Sequence, residues 1–586
     1  MKALKNKPVL LLVLAVSMFI IGLYATLGIP SKEGFNPSDD GVILAQSYRM
    51  LQGEVPHRDF ISIRPAGSAV MHLIHFFSPI PLEISARWMV LIEYLIYSIM
   101  ITLLLTGSWF KGFRKLNYRF LVAGSVVGIF ILNQNHYNFF PWTTIDGLFW
   151  FSIALYSWFR VKSGLSGKLF IWQVLVWLGV SCAVLCRQTF ALPGAILVLR
   201  MVVWVIGQSG QSRQAWVRSL LLAAMIGLVP GWIYASVLTY AGAWPDFFQQ
   251  MTGRTELWET GVVTFIQAFW HSPAPALFGL AVISGLIKIW STESGRDSLR
   301  IDVFLMLQKY LSFGFKIALV FLIFIKPAWL FQISLFFFWM LILDILLIYF
   351  HDGVLPRWIR PAFWILLVAW TSAISLGDNA PIFALGWLAG TAILIQIKDF
   401  SNRIYRKIRP FQTIAGVVLL PLLLLSALIV QTRVNYRDLP AKELTKAGGD
   451  IFPGLRGIRL SPAMSDYLGE IRRLYLEAGA PKGRFAVWPN NALIYPLLGS
   501  PNPFILDWMQ PAEFVGNEKR VMESIRKVLL GEEVIILVEK VNIKWITTGN
   551  IPVDSRSADY GYLRMLDSLA IPLNAVSNSF NVYRTK

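Results

Sequence analysis

The residues best suited to chemistry in this chain crowd into its first polar loop. The stretch "FNPSDDGVILAQSYRMLQGE", residues 35 to 54, sets two adjacent carboxylates, Asp39 and Asp40, a few positions beyond a long apolar segment. Arg49, Glu54, His57, Arg58, Asp59 and Arg64 follow in the same loop, which runs from residue 30 to 83. Loops this long are uncommon, and functional loops account for many of them. The acid pair has two readings. It caps a helix, whose free N–H groups and dipole favour ionised carboxylates, or it forms part of a catalytic site at a membrane surface.

The element that would position these acids is itself legible. Ser38 is a suitable N-cap, Leu44, Tyr48 and Leu51 recur at helical spacing, and Gly53 stands where a helix would stop. The spacing predicts a short amphipathic helix lying along the membrane surface, with Asp39 and Asp40 in its first turn.

The wider composition supplies that membrane. Of 586 residues 55% are hydrophobic and only 15% charged, and the mean hydropathy is +0.56, far from the balance of soluble domains. The net charge of +19 does not describe a nucleic-acid surface. Residues 431 to 586 hold 20 Lys and Arg against 16 Asp and Glu, and the excess cations sit in short links between apolar segments elsewhere, as topology determinants do. Cys182 and Cys186 lie four apart on one apolar segment, a spacing for small packing residues rather than a disulfide. The basic start and long apolar run at residues 1 to 30 read as a retained first span.

Apolar runs fit to cross a bilayer fall near residues 8–28, 84–106, 119–133, 143–160, 169–186, 188–207, 216–240, 264–289, 311–326, 328–350, 361–376, 380–397 and 411–430. The reading is an α-helical polytopic membrane protein with about thirteen transmembrane helices. With the N-terminus inside, the inner links "KGFRKLNYR", "RVKSGLSGK", "GQSGQSRQAWVR", "KIWSTESGRDSLR", "HDGVLPRWIR" and "KDFSNRIYRKIRP" are all basic, and the outer links are neutral, mixed or acidic. An odd number of spans puts the region after residue 430 outside. There, "MSDYLGEIRRLYLEA" carries a helical stripe and "RFAVWP", "EVIILVEK", "IKWITTG" and "FNVYRT" read as short strands, which predicts an extracytoplasmic α/β domain over 431–586 beyond a transmembrane part over 1–430.

Three stretches resemble a known class. The acid pair followed by a helix and then "GEVPHRDF" (53–60) and "RPAG" (64–67), "TTIDGLFWF" (143–151) with Asp146, and "CRQTFALPG" (186–194) with Arg187 are similar to motifs of the GT-C membrane glycosyltransferases. Within that class they resemble the bacterial relatives of protein O-mannosyltransferases and of the lipid A aminoarabinose transferase. Asp39-Asp40 stands here for the class's Asp-Glu, and "RPAG" for its Lys-Pro-Pro turn.

The resemblance implies a GT-C-like fold and transfer of a sugar from a polyprenyl-phosphate donor to an acceptor hydroxyl at the outer face of the cell membrane, with inversion. That chemistry requires a carboxylate to take the hydroxyl proton and cations to stabilise the departing phosphate. It points to Asp39 as base, to Asp40 as its orienting partner or a contact of the acceptor, to Arg64 and Arg187 on the donor phosphate, and to Asp146, His57 and Arg58 as further substrate contacts. Metal dependence stays open, with Asp40 and Asp146 as the candidate ligands of a divalent ion. The sugar and the acceptor, whether lipid, glycan or protein, also stay open. A transporter or flippase of lipid-linked glycans, or a polysaccharide polymerase or ligase, is the alternative reading.

Overall fold

The computed structural model describes residues 32–36, 39–109, 115–134, 139–162, 169–207, 212–253, 256–293, 299–375, 379–403, 438–479, 483–510, 513–514, 516–540 and 561–585. The helices are α1 (Val42–Leu51), α2 (Leu82–Trp109), α3 (Lys115–Gln134), α4 (Thr143–Lys162), α5 (Leu169–Cys186), α6 (Ala191–Ile206), α7 (Ser212–Gly227) and α8 (Val229–Tyr240). They continue with α9 (Trp244–Thr252), α10 (Glu256–Trp270), α11 (Ala274–Glu293), α12 (Leu299–Ile325), α13 (Leu330–Asp352), α14 (Arg360–Ala373) and α15 (Leu385–Arg403). Eleven of the thirteen expected spans fall on described residues, and each coincides with helix. The segments 8–28 and 411–430 lie outside the described residues.

Among the described residues, six helical segments are long and apolar enough to cross a membrane, and eight are if each bent pair counts as one span. The protein is therefore a polytopic helical membrane protein. The 216–240 segment bends by 50° between α7 and α8, where Pro230 follows the break and cannot donate its share of the helical ladder. The expected single span 264–289 is instead two helices, α10 and α11, turned by 73° at a break that contains Pro273. Residues 243–261, expected as an outer link, are largely helical as α9 and the start of α10. Inside the bundle, Lys316 on α12 meets Asp344 on α13 at 2.5 Å, and Gln396 on α15 donates to the same carboxylate at 2.7 Å. Lys309, two turns away on α12, pairs with Asp399 on α15 at 2.8 Å.

Beyond the bundle, helices α16 (Pro462–Ala478), α17 (Glu518–Gly531) and α18 (Gly561–Leu569) flank a sheet. Two short strands, β1 (Lys446–Ala447) and β2 (Arg459–Leu460), pair with one another, and β3 (Phe485–Trp488), β4 (Ile535–Glu539), β5 (Ala570–Leu573) and β6 (Phe580–Thr585) form a mixed sheet in the order β3-β4-β6-β5. Every residue of β4 is buried. Ile535 and Leu537 join the α16 side with Tyr467, Leu468 and Ile471, whereas Ile536 and Val538 join the α17 and α18 side with Ile525 and Leu563. A strand covered on both faces needs such a continuous apolar run. "IKWITTG" lies outside the described residues, and β5, with Pro572, takes the sheet edge where a missing N–H is tolerated.

The first loop departs from expectation. The helix begins at Val42, with Gly41 as its N-cap and no acid in its first turn. Asp39 and Asp40 form the turn before it, and Ser38 lies outside the described residues. Nor does α1 lie along a lipid surface: Val42, Ile43, Leu44, Ala45, Ser47, Tyr48 and Arg49 are all buried. Leu44 and Phe35 share a core with Ile84 at the start of α2 and with Leu493, Ile494 and Phe485 of the sheet region. A Cβ on Gly41 would stand 2.2 Å from the Cβ and 2.3 Å from the backbone N of Leu493, so only glycine admits this approach.

Candidate active site

Asp40 sits at the centre of a closed network. Its Oδ2 accepts from Arg87 at 2.9 Å and from the Asn36 N–H at 2.9 Å. Arg87 also donates to Glu83 at 2.7 Å and to the carbonyls of Glu33 and Gly34. Glu83 and Arg87, one turn apart at the start of α2, thus tie the loop's entry to the bundle. Burial pushes the Asp40 carboxyl up to about 8; Arg87 opposes this, and the neighbouring acids Glu83 and Asp39 add to it. The network fixes the backbone beside Asp39, whose side chain is only 6% exposed.

Arg64 lies within electrostatic reach of two acids, Glu513 and then Asp39, which partly offset the lowering of its pKa by burial. Its guanidinium stands 5.2 Å from the centre of the Trp142 ring, just before α4, a cation–π contact. Gly67, three residues on, is pressed against the end of α5: a Cβ there would meet the Leu185 carbonyl carbon at 2.5 Å. That contact seats the Arg64 turn beside Arg187, the residue between α5 and the turn Gln188–Phe190, and Gln188 completes the junction by donating to the Ile63 carbonyl at 2.9 Å.

Arg187 is 4% exposed. It donates to the Thr144 hydroxyl on α4 and to the Ile374 carbonyl just after α14, and among the described residues it forms no ion pair with a carboxylate. Burial, with Arg64 as a like-charged neighbour, pushes its pKa down to about 9, so it keeps its charge at neutral pH. Two guanidinium groups therefore stand together, one of them held only by neutral oxygens. Such an arrangement suits an anion with several acceptor oxygens.

Asp146, on the first turn of α4, is fully buried and belongs to another group. His72 Nε2 stands 3.5 Å from its Oδ1, His72 Nδ1 and His75 Nε2 are 2.8 Å apart, and Glu93 of α2 lies against it. Asp40 and Asp146, the acids left open as metal ligands, thus serve separate networks. Among the described residues no group of three or more His, Cys, Asp and Glu side chains is arranged to hold a metal ion.

His57 and Arg58 point elsewhere. The Gln250 carbonyl oxygen accepts from the Ser62 N–H at 3.0 Å and can only accept, so His57 Nδ1 donates to it at 2.7 Å. His57 Nε2 then accepts from the Tyr234 hydroxyl at 2.6 Å. Burial pushes this imidazole down to about 4, so it is a neutral clasp between the loop and helices α8 and α9. Arg58 is exposed and doubly bonded to Asp59 at 2.8 and 2.9 Å. Of the residues singled out in the sequence, the fold brings Arg64 beside Arg187 and within electrostatic reach of Asp39, bonds Asp40 to Arg87, and engages Asp146 with His72, His57 with Gln250 and Tyr234, and Arg58 with Asp59.

Six participants were not singled out. Glu83 with Arg87 and His72 with His75 carry readable i,i+4 and i,i+3 spacings, whereas Glu93 lies in a span and Glu513 reaches the site only through the tertiary fold. The remainder of the sheet region is locked on by Arg49, which is 3% exposed, bonds both oxygens of Asp507 at 2.9 Å and Glu54 at 2.6 Å, and donates to the Phe504 carbonyl.

These features define a polytopic membrane protein with a buried, cationic site under a mixed-sheet cap. No protein-family model matches the chain, and no curated protein matches it. Among solved structures it is similar to ArnT from Cupriavidus metallidurans bound to undecaprenyl phosphate, at 12% identity and a TM-score of 0.41 over 98% of this chain and 97% of that one. The apo form of the same protein gives 13% identity and a TM-score of 0.40 over the same shares. The archaeal oligosaccharyltransferase AglB from Archaeoglobus fulgidus, in complex with an inhibitory peptide and a dolichol-phosphate, gives 12% identity and a TM-score of 0.42 over 90% of this chain and 69% of that one.

Proposed function

We propose that the chain is an integral-membrane glycosyltransferase that moves a sugar from a polyprenyl-phosphate-linked donor to an acceptor hydroxyl at the outer face of the membrane, inverting the anomeric carbon. The observation that carries this reading is Arg187, a buried cation with neutral partners beside a second cation, Arg64, and near a carboxylate, Asp39. Asp39 takes the proton of the acceptor hydroxyl as its oxygen bonds to the anomeric carbon. The bond from that carbon to the donor phosphate breaks, and the phosphate leaves on its lipid with its growing charge held by Arg64 and Arg187. Asp40, fixed by Arg87, orients Asp39.

By their alternation along the sequence the basic links belong to the side of the spans opposite the Arg187 turn, which supports an outer location for the site. On this reading residues 1–430 form the transmembrane catalytic part and 431–586 an extracytoplasmic domain that closes over the first loop. The transport reading finds support in the Lys316–Asp344 and Lys309–Asp399 pairs inside the bundle. Each cation there has its own carboxylate, so these pairs fit the setting of helix register better than the carriage of a substrate.

The reading is tested by binding of polyprenyl phosphate to the purified protein, counted by native mass spectrometry. Arg187→Gln and Arg64→Gln are each expected to weaken binding roughly tenfold or more, the worth of a charge-assisted hydrogen bond. Unchanged binding in both folded variants contradicts it.

A further inference from the structure

A second cationic site lies at the other end of the helices that hold Arg187. Helices α4, α6 and α14 pack on one another and line an open cavity of about 450 Å³. Lys162, Arg200 and Arg360 stand on its wall, with Trp158, Phe363 and Trp364 as its aromatic side. Trp158 and Trp364 are buried, at 4% and 8% exposure, whereas the three cations are exposed at the rim. Arg357 adds a fourth charge: burial, then Arg360, Arg200 and Arg357, all lower the pKa of Lys162. Among the described residues none of the four forms an ion pair with a carboxylate. Like charges gathered without counterions repel, so the cluster is stable where an anion joins it.

Position identifies the source of that anion. Thr144, which Arg187 grips, and Lys162 are eighteen residues apart on α4, or about 27 Å along a helix, close to the thickness of a hydrocarbon core. The cavity therefore opens at the boundary of the opposite leaflet, where Lys162 ends α4 and Arg357 and Arg360 lead into α14. Tryptophans at headgroup depth and basic hollows between helices are features of anionic lipid recognition.

We propose that this cavity binds the phosphodiester headgroup of an anionic phospholipid, with Lys162, Arg200 and Arg360 on the phosphate and Trp158, Phe363 and Trp364 against the upper part of its chains. The ligand lies in the leaflet opposite the Arg187 site and is bound independently of any donor there.

Purified full-length protein in detergent, offered phosphatidylglycerol or phosphatidylcholine at equal concentration, tests this by native mass spectrometry of retained lipid. Phosphatidylglycerol is expected to be retained at least tenfold better than phosphatidylcholine. Each of Arg200→Gln and Arg360→Gln should lower its retention about fivefold, and the triple variant with Lys162→Gln should retain both lipids equally. The single variants alter exposed side chains and keep the test valid should the triple variant not fold. Excess inorganic phosphate should leave the lipid in place. Equal retention of both lipids by the wild type, full retention by the folded variants, or displacement by inorganic phosphate, which would assign the cavity to free phosphate, overturns the proposal.

Discussion

Asp40 and Arg87, 47 residues apart in the chain, meet at 2.9 Å with both side chains fully buried, and the same guanidinium holds Glu83 at 2.7 Å. Two buried carboxyl groups thus share one cation. The fold accepts this because the network ties the turn that carries Asp39 to the first described span.

A pH dependence follows from that sharing. The Asp40 pKa is about 8 in the fold against 3.8 as its ordinary value. Between these values the folded chain holds a proton that the unfolded chain has lost, so stability falls as pH rises toward 8. Thermal unfolding from pH 6.5 to 9 should show a decline in the wild type and a flatter profile in Asp40→Asn. A wild-type profile that rises over this range, unchanged by the substitution, would falsify the assignment.

The acid limb has the opposite sign. His57 is pushed down to about 4 from 6.5, so in that window the unfolded chain binds more protons and stability is lost as pH falls. His57→Gln should flatten the profile between pH 4 and 6.5 while lowering stability at pH 7 by ~1–3 kcal/mol through broken bonds to Gln250 and Tyr234. An acid limb as steep as that of the wild type would show that His57 is not its source.

Arg49 and Asp507, 458 residues apart, should prove the clasp between loop and sheet. Removing one partner of a buried ion pair strands the other, so Arg49→Ala is expected to cost ~3–5 kcal/mol. Limited proteolysis should then cut the region after residue 438 much faster. A double-mutant cycle with Asp507→Ala measures the coupling directly, and a coupling near zero would remove Arg49 from this role.

Gly41→Ala tests the packing of α1 under the sheet region. The added Cβ would overlap Leu493 at 2.2 Å, and the backbone must move, at ~1–3 kcal/mol or more. Increased proteolytic access at residues 35–54, with bundle helices intact by circular dichroism, is the expected result; wild-type protection would mean that α1 docks otherwise.

Much of this architecture was legible because lipid and helix geometry impose strong patterns. Continuous apolar runs marked every described membrane helix, and "EVIILVEK" marked a strand buried on both faces. Breaks were less legible: Pro230 and Pro273 interrupt runs that hydrophobicity alone joins. At the site, Asp39, Asp40, Arg64 and Arg187 stood out by charge beside apolar sequence, but their partners did not. Whether Asp40 pairs with Arg87, or Arg64 feels Glu513, depends on contacts 47 and 449 positions away, which no local spacing encodes. The first-turn placement of the aspartates does not hold: they form the turn before α1, whose N-cap Gly41 is packed against Leu493, 452 positions away.

The central claim is that Asp39 is the base of a lipid-linked sugar transfer. Its most direct measure is the single-turnover rate of sugar transfer from radiolabelled polyprenyl-phosphate sugars by the reconstituted, folded wild type and Asp39→Asn variant. The account predicts turnover by the wild type and a loss of roughly 10²- to 10⁴-fold in the variant, the usual worth of a general base. Transfer by Asp39→Asn at the wild-type rate, with its unfolding temperature unchanged, would contradict it.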